Sequence, residues 1–464
     1  MTKRLSFMTV NHLQSQSGDY RGYDFRASTE INEELVRVGP GTPCGEYLRR
    51  FWHPFFLSSE LAERPVVVRM LGEELVLFRD KSRRLGLVHK RCPHRQASLE
   101  FGRCEDKGIR CCYHGWQFDI DGALLDAPGQ SLTLNRRLKD RVRLGAYPTV
   151  EHQGLIFAYL GPPTQQPEFP IFDAMTFEKM ERVPYAAPFR CNWLQVLDAI
   201  LDPLHTSFLH SSIGRVQFSD GFGEVGQIDF FDRNAWLLGV NTRRVGDNVW
   251  LRVNELVLPN VTQAGSAFAA DGTEVRYYGR SSFTRWVVPL DDENTTCFAW
   301  ANFGERGDPP EWNTPEGPEL IEQGEAFDRS YEEKQRSPAD VEAVEGMGPI
   351  TIHANENLVV SDKGIAVMRK RLQDEIKKIS NGGQPLRANK NSDGVVPTYG
   401  GDTVLAMPRQ SLDDEATHLS RLAHAFMAIQ FDTAGESDLD RQAKVIKELQ
   451  RLEQSGIGEL VDDQ

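Results

Sequence analysis

Two short stretches of the chain bring together metal-binding residue types at matched spacing. Cys92-Pro93-His94 is followed, after sixteen intervening residues, by Cys111-Cys112-Tyr113-His114. Each stretch offers a thiolate and, two or three positions later, an imidazole. A [2Fe–2S] centre whose irons are unlike, one held by two Cys and the other by two His, needs this set. Interleaving lets two neighbouring loops each give one ligand to each iron, with room for a hairpin-sized strand pair between them. The competing use of two Cys and two His is structural zinc. Zinc sites more often keep like ligands together, C-x₂₋₄-C then H-x₃₋₅-H, and the interleaved order argues against one.

A second constellation lies downstream in Asn192-Trp-Leu-Gln-Val-Leu-Asp198-Ala-Ile-Leu-Asp202-Pro-Leu-His205-Thr-Ser-Phe-Leu-His210. Two His and a carboxylate suggest a 2-His-1-carboxylate site, which leaves positions open on ferrous iron for O₂. His205 and His210 are five apart, so an undistorted helix does not put them on one face. A bulge or helix break between them is required. Taken alone, such a segment is more often a helix with core or surface histidines. The third ligand must come from further along, and two aspartates qualify. Asp362 follows Ser361 at the start of an amphipathic stretch, where a first-turn role explains it. Asp340 sits in Ser337-Pro-Ala-Asp340, itself a good helix start.

Positioning these residues requires a scaffold, and the strand and helix patterns supply one. Val66–Met70, Leu75–Phe78, Leu85–His89, Gln117–Ile120 and Leu155–Leu160 read as strands, with Asp121-Gly122 as a hairpin signal. Residues 44–160 are therefore an all-β module carrying the first constellation on loop tips. Gly45–Trp52 reads as a short helix, and His53, before a proline in an apolar patch, as structural. Gly161-Pro-Pro punctuates the end of the module. A helical segment at Asn192–His210 then precedes strands at Ile228–Phe231, Trp236–Thr242, Val249–Leu258, Val275–Val288 and Thr296–Phe303. Consecutive strands without intervening helices favour an antiparallel sheet. Glu319–Gln335 is a charged helix, and 361–379 places Ile365, Met368, Leu372, Ile376 and Ile379 at helical spacing. The expected organisation is α+β: an arm at 1–43, the all-β module at 44–160, a second module at 161–384 and a helical extension at 385–464. That extension is loop-rich to Gly401, with Ser437-x-x-Asp440 as a later capping box.

At 464 residues, 40% hydrophobic and 26% charged, the chain has ample length for two or three cores. A net charge of −14 argues against nucleic acid; an acidic surface suits a basic electron-transfer partner or simple solubility. Seven Cys form no even disulfide pattern, so Cys44, Cys104, Cys112, Cys191 and Cys297 are expected as thiols in a reducing cytoplasm. No apolar run approaches the roughly 20 residues a membrane span needs, and Met1 to Phe25 lacks an apolar signal core. No G-x-G-x-x-G fingerprint follows a strand.

Cys92-Pro-His94-Arg95 and Cys111-Cys-Tyr-His114-Gly-Trp-Gln-Phe118 resemble the Rieske domain of Rieske non-haem iron oxygenases. Respiratory Rieske proteins carry an additional disulfide at positions occupied here by Ala97 and Tyr113, so the resemblance is to the oxygenase type. Asn192-Trp-x-Gln195 with Asp202-x-x-His205-x₄-His210 is similar to the mononuclear iron site of the same family, which commonly has Glu where this chain has Asp198. Residues 338–372 resemble the C-terminal segment of its phthalate dioxygenase-like group.

The resemblance implies a Rieske domain joined to a helix-grip catalytic domain in head-to-tail trimers, single or stacked. It implies a [2Fe–2S] cluster on Cys92, His94, Cys111 and His114, and Fe(II) on His205, His210 and Asp340, with Asp362 the fallback. Asp202 would hydrogen-bond an iron ligand and reach the cluster ligand His114 of a neighbour. The implied activity is O₂-dependent hydroxylation or dealkylation of an aromatic acid or aryl ether, driven by a separate NAD(P)H-linked reductase, with or without a ferredoxin. Phe208, Phe283, Trp286, Trp300 and Phe303 are candidates for the pocket, and Arg280 or Arg285 for a substrate carboxylate. The rival readings are a Rieske electron carrier with no second iron, or an oxygenase or desaturase acting on a non-aromatic substrate.

Overall fold

The strands expected around the first constellation form in the computed structural model, which describes residues 22, 27–210, 220–265, 271–305, 307–308, 329–409 and 414–455. Val66–Met70, Glu73–Arg79, Leu85–His89 and Ala146–Tyr147 make one four-stranded antiparallel sheet. Arg103–Cys104, Ile109–Arg110, Gln117–Phe118 and Leu124–Asp126 make a second. Between them lies a small core of its own, including Val76, Phe78, Val88, Ile109, Trp116 and Phe118, and the thiols of Cys92 and Cys111 belong to it. A three-stranded sheet of Trp52–Leu57, Leu155–Tyr159 and Thr149–His152 connects this module to the rest. His53 is structural, as expected: it is buried, with Nε2 2.8 Å from the Leu48 carbonyl.

The second module is built on an eight-stranded antiparallel sheet. Its order is Met180–Phe189, Thr295–Gly304, Phe283–Pro289, Val261–Gln263, Asn248–Val257, Trp236–Val245 and Gln227–Arg233, with Gly401–Ala406 also pairing with Asn248–Val257. Three of these strands were not expected from the sequence: Met180–Phe189, Val261–Gln263 and Gly401–Ala406. The last lies in the stretch 385–464, which thus contributes a strand to this sheet besides the helices Glu415–Asp432 and Asp438–Ser455. The run read as one strand at Val275–Val288 is a strand only from Phe283. Of the charged helix expected at Glu319–Gln335, residues 319–328 lie outside the described residues, and Tyr331–Arg336 is helical.

Register assigns the two faces of this sheet. Directly opposed residues share a face, so the ladder Leu256–Thr262–Arg285–Ala299–Tyr185 places those five together. Asn254 and Gly239, a paired position two residues further along, continue the same face. Helix Lys363–Ser380 packs there through Met368, Leu372, Ile376 and Ile379. Gly364 permits this approach, because a Cβ at that position would stand 2.3 Å from the Phe230 ring. On the opposite face, helix Glu415–Asp432 meets Phe231 and Asp229 through His424 and Ser420. Among the described residues, no helix is long and apolar enough to cross a membrane.

Candidate active site

The two cysteine-bearing loops are turned by the same device. In the first, the Gln96 N–H donates to the Cys92 carbonyl (2.8 Å) and the Cys92 N–H to the Ala97 carbonyl (2.9 Å). In the second, Gly115 N–H donates to Cys111 (3.1 Å) and Cys111 N–H to Trp116 (2.8 Å). Each turn needs a left-handed residue four positions after the cysteine, supplied by Gln96 at φ 65° and Gly115 at φ 72°. The loops stand side by side, with the rings of His94 and His114 at 4.5 Å. Trp116 stacks flat on His94, 4.4 Å between centroids and 1° between planes. The thiols are buried and the imidazoles lie outward, His114 exposed.

This donor set fits a two-iron cluster. Burial, with Cys111 alongside, pushes the Cys92 thiol up to about 11, so this thiol requires a cation to hold it as thiolate. Burial and the neighbouring His114 and Arg95 lower His94, keeping it neutral for ligation. His94 Nδ1 is a buried nitrogen without a hydrogen-bond partner, which suits a ligand atom.

The helical segment at 192–210 is broken before His205 and not, as the spacing leads one to expect, between the two histidines: His210 sits at the C-terminal end of the turn that His205 opens, at φ −94° and ψ 0°. Trp193–Asp198 is α-helical, Ala199–Leu201 tightens to 3₁₀, Asp202–Leu204 turns, and His205–Leu209 is a further helical turn. The segment lies on the Arg285 face of the sheet: Asn254 Nδ2 donates to the Ile200 carbonyl (3.1 Å) and Arg243 Nη2 to Thr206 Oγ1 (3.1 Å). His205 and His210 each direct Nε2 to within 3.5 Å of Asp340 Oδ1. All three ligand atoms lie within 4.8 Å of one another, a separation that one first-row metal ion with bonds of about 2.0–2.2 Å can bridge. Asp340 opens the helix Asp340–Glu345. Partial burial raises the carboxyl, although 37% of the side chain stays exposed, but the charges of His210, His205 and Arg285 outweigh this and hold it below the usual carboxylate range.

Asp362, the other aspartate considered, is elsewhere: its Oδ2 accepts the Val359 N–H (2.7 Å) and caps a 3₁₀ turn. Asp202 is arranged differently from the sequence expectation. His205 Nδ1 donates to the Asp202 backbone carbonyl, which leaves Nε2 bare for a metal. The Asp202 carboxylate stands 3.8 Å from Nδ1 and accepts instead from the His205 backbone N–H (3.4 Å). The reason is local: in a three-residue turn the carbonyl reaches the ring before the side chain does. Asp198 pairs with Arg369, whose Nε donates to Oδ1 at 3.1 Å and which also binds Glu356 at 2.6 and 2.9 Å.

The role of the Asn192-Trp-x-Gln195 motif was not legible in the sequence. Gln195 Nε2 donates to the carbonyls of Val344 (2.8 Å) and Gly348 (3.0 Å), and Oε1 accepts from Thr351 N–H (2.9 Å). Asn192 N–H donates to the Pro349 carbonyl (2.8 Å). The motif therefore fastens the histidine segment to the segment that starts at Asp340. Of the pocket candidates, Trp286 and Trp300 lie on the opposite face, packed with Phe157 of the cluster-bearing module, and Phe208 is half exposed. Phe283 and Phe303 share the Arg285 face with Tyr185. Arg280 is committed elsewhere, buried against Asp173 (3.3 Å) and Thr398.

The Rieske [2Fe-2S] domain family matches residues 51–139. The oxygenase subunit of the tert-butanol monooxygenase / tert-amyl alcohol desaturase of Aquincola tertiaricarbonis is 37% identical, over 95% of this chain and 97% of its own. This chain is a Rieske non-haem iron oxygenase subunit. A second relative, the phenoxybenzoate dioxygenase alpha subunit of Ectopseudomonas oleovorans, is 36% identical over 87% of this chain and 97% of its own. Among solved structures, dicamba monooxygenase bound to dicamba superposes with a TM-score of 0.55 at 16% identity, covering 72% of this chain and 99% of that one. That likeness is one of fold. The Rieske oxygenase carries a [2Fe–2S] cluster and a mononuclear iron and uses O₂. As an oxygenase subunit it works with separate electron-delivering proteins on a small-molecule substrate.

Proposed function

We propose that this oxygenase hydroxylates or dealkylates an aromatic acid or aryl ether, drawing electrons from an NAD(P)H-linked reductase, directly or through a ferredoxin. The observation that carries the substrate class is Arg285. Its guanidinium lies over the Phe283 ring (4.8 Å), shares a sheet face with Tyr185 and Phe303, and acts on Asp340 by its charge. A flat ring suits the apolar patch, and a carboxylate suits the guanidinium fork.

The assignments we propose are Cys92, His94, Cys111 and His114 for the cluster and His205, His210 and Asp340 for Fe(II). When bound, the iron supplies open positions for O₂ activation and the cluster supplies single electrons. The chain's own residues do the rest. Trp116 fixes the His94 ring by stacking. The Asp202 carbonyl fixes the His205 tautomer, and Gln195 holds Asp340's segment in register with both histidines. Arg285 orients the substrate acid.

We further propose that the subunits close head to tail into a trimer, single or stacked, in the cytoplasm, where all seven cysteines are free. The Asp202 side chain is 28% exposed and would face the neighbouring copy's His114. Tyr113 is exposed beside His114, and Leu358, Val359 and Val360 are exposed beyond Glu356, which Arg369 ties to the histidine segment. Burying these apolar groups against each other suits such a contact.

A second reading, a small tertiary alcohol as substrate, is supported by the likeness to the Aquincola tertiaricarbonis tert-butanol monooxygenase / tert-amyl alcohol desaturase subunit over 95% of this chain. Electron paramagnetic resonance of the anaerobic ferrous protein with nitric oxide separates the two. Benzoate-type acids should alter the high-spin iron–nitrosyl signal, and Arg285→Met should abolish that response while sparing the response to a neutral aryl ether. A signal altered by tert-butanol alone would overturn the aromatic reading.

A further inference from the structure

On a chain with net charge −14, residues 132–143, Leu-Thr-Leu-Asn-Arg-Arg-Leu-Lys-Asp-Arg-Val-Arg, carry five cations and a single acid. They form the helix Leu132–Arg141, none of whose residues is buried, and its exit. Arg136, Arg137, Lys139 and Arg141 are all exposed and, among the described residues, none has an ion-pair partner. Arg137 and Arg141 repel each other at i,i+4, an arrangement that weakens a helix and that solubility on an acidic protein does not call for. Leu132 is 87% exposed and Leu134 43%, so the face is apolar at one end as well as basic.

Its placement points to what covers it. Leu138 and Val142 seat the helix on the cluster module's core. Asn135 Nδ2 donates to Asp126 Oδ1 (3.2 Å), while Asp126 Oδ2 accepts from Arg110 Nη1 (3.1 Å), which also donates to the Gly115 carbonyl (2.6 Å), one residue past His114. At the other end Arg143, Leu144 and Gly145 line a groove of about 450 Å³ together with Lys90, Arg91, Pro93 and Gln96 on the side of the first cluster loop, and with Glu73, Glu74 and His89. Glu74 is paired with Lys90 (3.3 Å), and the basic helix thus runs from beside one cluster loop to the rim of the groove beside the other.

We propose that the helix Leu132–Arg141 and the adjoining groove are the docking surface for a negatively charged electron-donor protein of the [2Fe–2S] ferredoxin type. The proposal deepens the reading that a separate donor protein serves this oxygenase, but it is independent of the substrate. Complementary charge steers encounter and sets its salt dependence, and the two exposed leucines give the docked partner apolar contact. In the step served, one electron leaves the donor's reduced cluster, which is oxidised, and enters the oxidised Rieske cluster, which is reduced; no bond forms or breaks. The step is downhill, because a plant-type ferredoxin has a lower reduction potential than a Rieske centre.

The test uses the holoprotein and an oxidised plant-type [2Fe–2S] ferredoxin as probe, with binding followed by fluorescence anisotropy of labelled ferredoxin between low and high salt. Salt-sensitive binding is expected, weakened at least tenfold at low salt in Arg136→Glu/Arg137→Glu/Lys139→Glu, with the cluster's visible circular dichroism and its reduction by dithionite unchanged. Lys447→Glu, an exposed cation on the C-terminal helix, should leave binding as it is. Three results overturn the proposal: no salt-sensitive binding by the unaltered protein, unaltered binding by the triple variant, or a triple variant whose main change is its oligomeric mass, which would assign the helix to a second copy of this chain. None of these readouts depends on substrate, so they are separable from a failure of the Arg285 reading.

Discussion

Gln195→Leu tests whether the mononuclear site depends on the clamp between its two segments. The amide makes three hydrogen bonds at 2.8–3.0 Å and is 3% exposed, so water does not replace what leucine removes. The Gly348 carbonyl and the Thr351 N–H lose their partner, while the Val344 carbonyl keeps only the longer bond from Met347 N–H (3.3 Å). At about 1–3 kcal/mol for each unpaired group and about 1 kcal/mol for the weakened one the gross loss is about 3–7 kcal/mol, and the apolar area leucine buries returns about 2 kcal/mol. A net cost near 3 kcal/mol is below the total stability of about 5–15 kcal/mol for a typical domain, so the fold should survive while the cost concentrates between His205–His210 and Asp340. If nearly all of it is loss of preorganisation, Fe(II) affinity falls roughly 100-fold. The assay is iron content at equilibrium with buffered Fe(II), where three irons per chain should fall towards two. The cluster, on a separate core, serves as the internal standard through its visible spectrum. Iron affinity within threefold of the unaltered protein, with the cluster intact, would refute the clamp. Loss of the cluster spectrum together with the iron would mean that the substitution unfolds the chain rather than loosening one site.

Three further outcomes are expected. Asp340→Ala should lose the mononuclear iron and keep the cluster, whereas Asp362→Ala should lose neither and melt slightly lower for want of its cap; metal analysis of both variants checks this. Asp202→Asn keeps the backbone carbonyl that holds His205, so both metals should remain while multiple turnover stops; retained steady-state rate would remove the proposed bridge. Burial pushes Glu255 up from 4.5 to about 7, although its Oε2 accepts from Tyr399 and Gly400 N–H groups. The folded chain then holds this proton more tightly than the unfolded one, and stability is lost as pH rises from about 4.5 to about 7. The rise corresponds to about 3 kcal/mol. Glu255→Gln should flatten that slope, so denaturant midpoints at pH 5 and pH 8 should converge in the variant relative to the unaltered protein; equal slopes would count against an uncharged Glu255.

What the sequence discloses depends on how local each feature is. The cluster loops are legible because all four donors fall within Cys92–His114, and each loop closes on itself through the carbonyls of Cys92 and Cys111. The histidine spacing suggests a break between the two rings, but the break, made by Pro203 and the preceding 3₁₀ turn, falls before His205, and His210 joins the site from the far end of the same short turn. Met180–Phe189 escapes notice because Pro184 and Pro188 argue against a strand, yet it pairs on one side only, at the sheet's edge, where proline costs no ladder bond. Gly401–Ala406 is a strand because Asn248–Val257 pairs with it on one side and Arg276–Gly279 bonds to it on the other, partners about 120–150 residues away that no local pattern announces. Asp340 is in the same position: its own surroundings look like an ordinary helix start, and only the Gln195 clamp, acting across the same distance, brings it to the histidines. One discrimination was nonetheless available. Arg285 and Trp286 are consecutive in a strand, so they point to opposite faces, and a pocket that uses Arg285 excludes Trp286. The same parity removes Trp300, which lies on the Trp286 face and donates Nε1–H to the Gln153 carbonyl of the cluster-bearing module at 2.8 Å. The two tryptophans therefore join the modules, and Tyr185, Phe283 and Phe303 are the aromatic residues that share the Arg285 face.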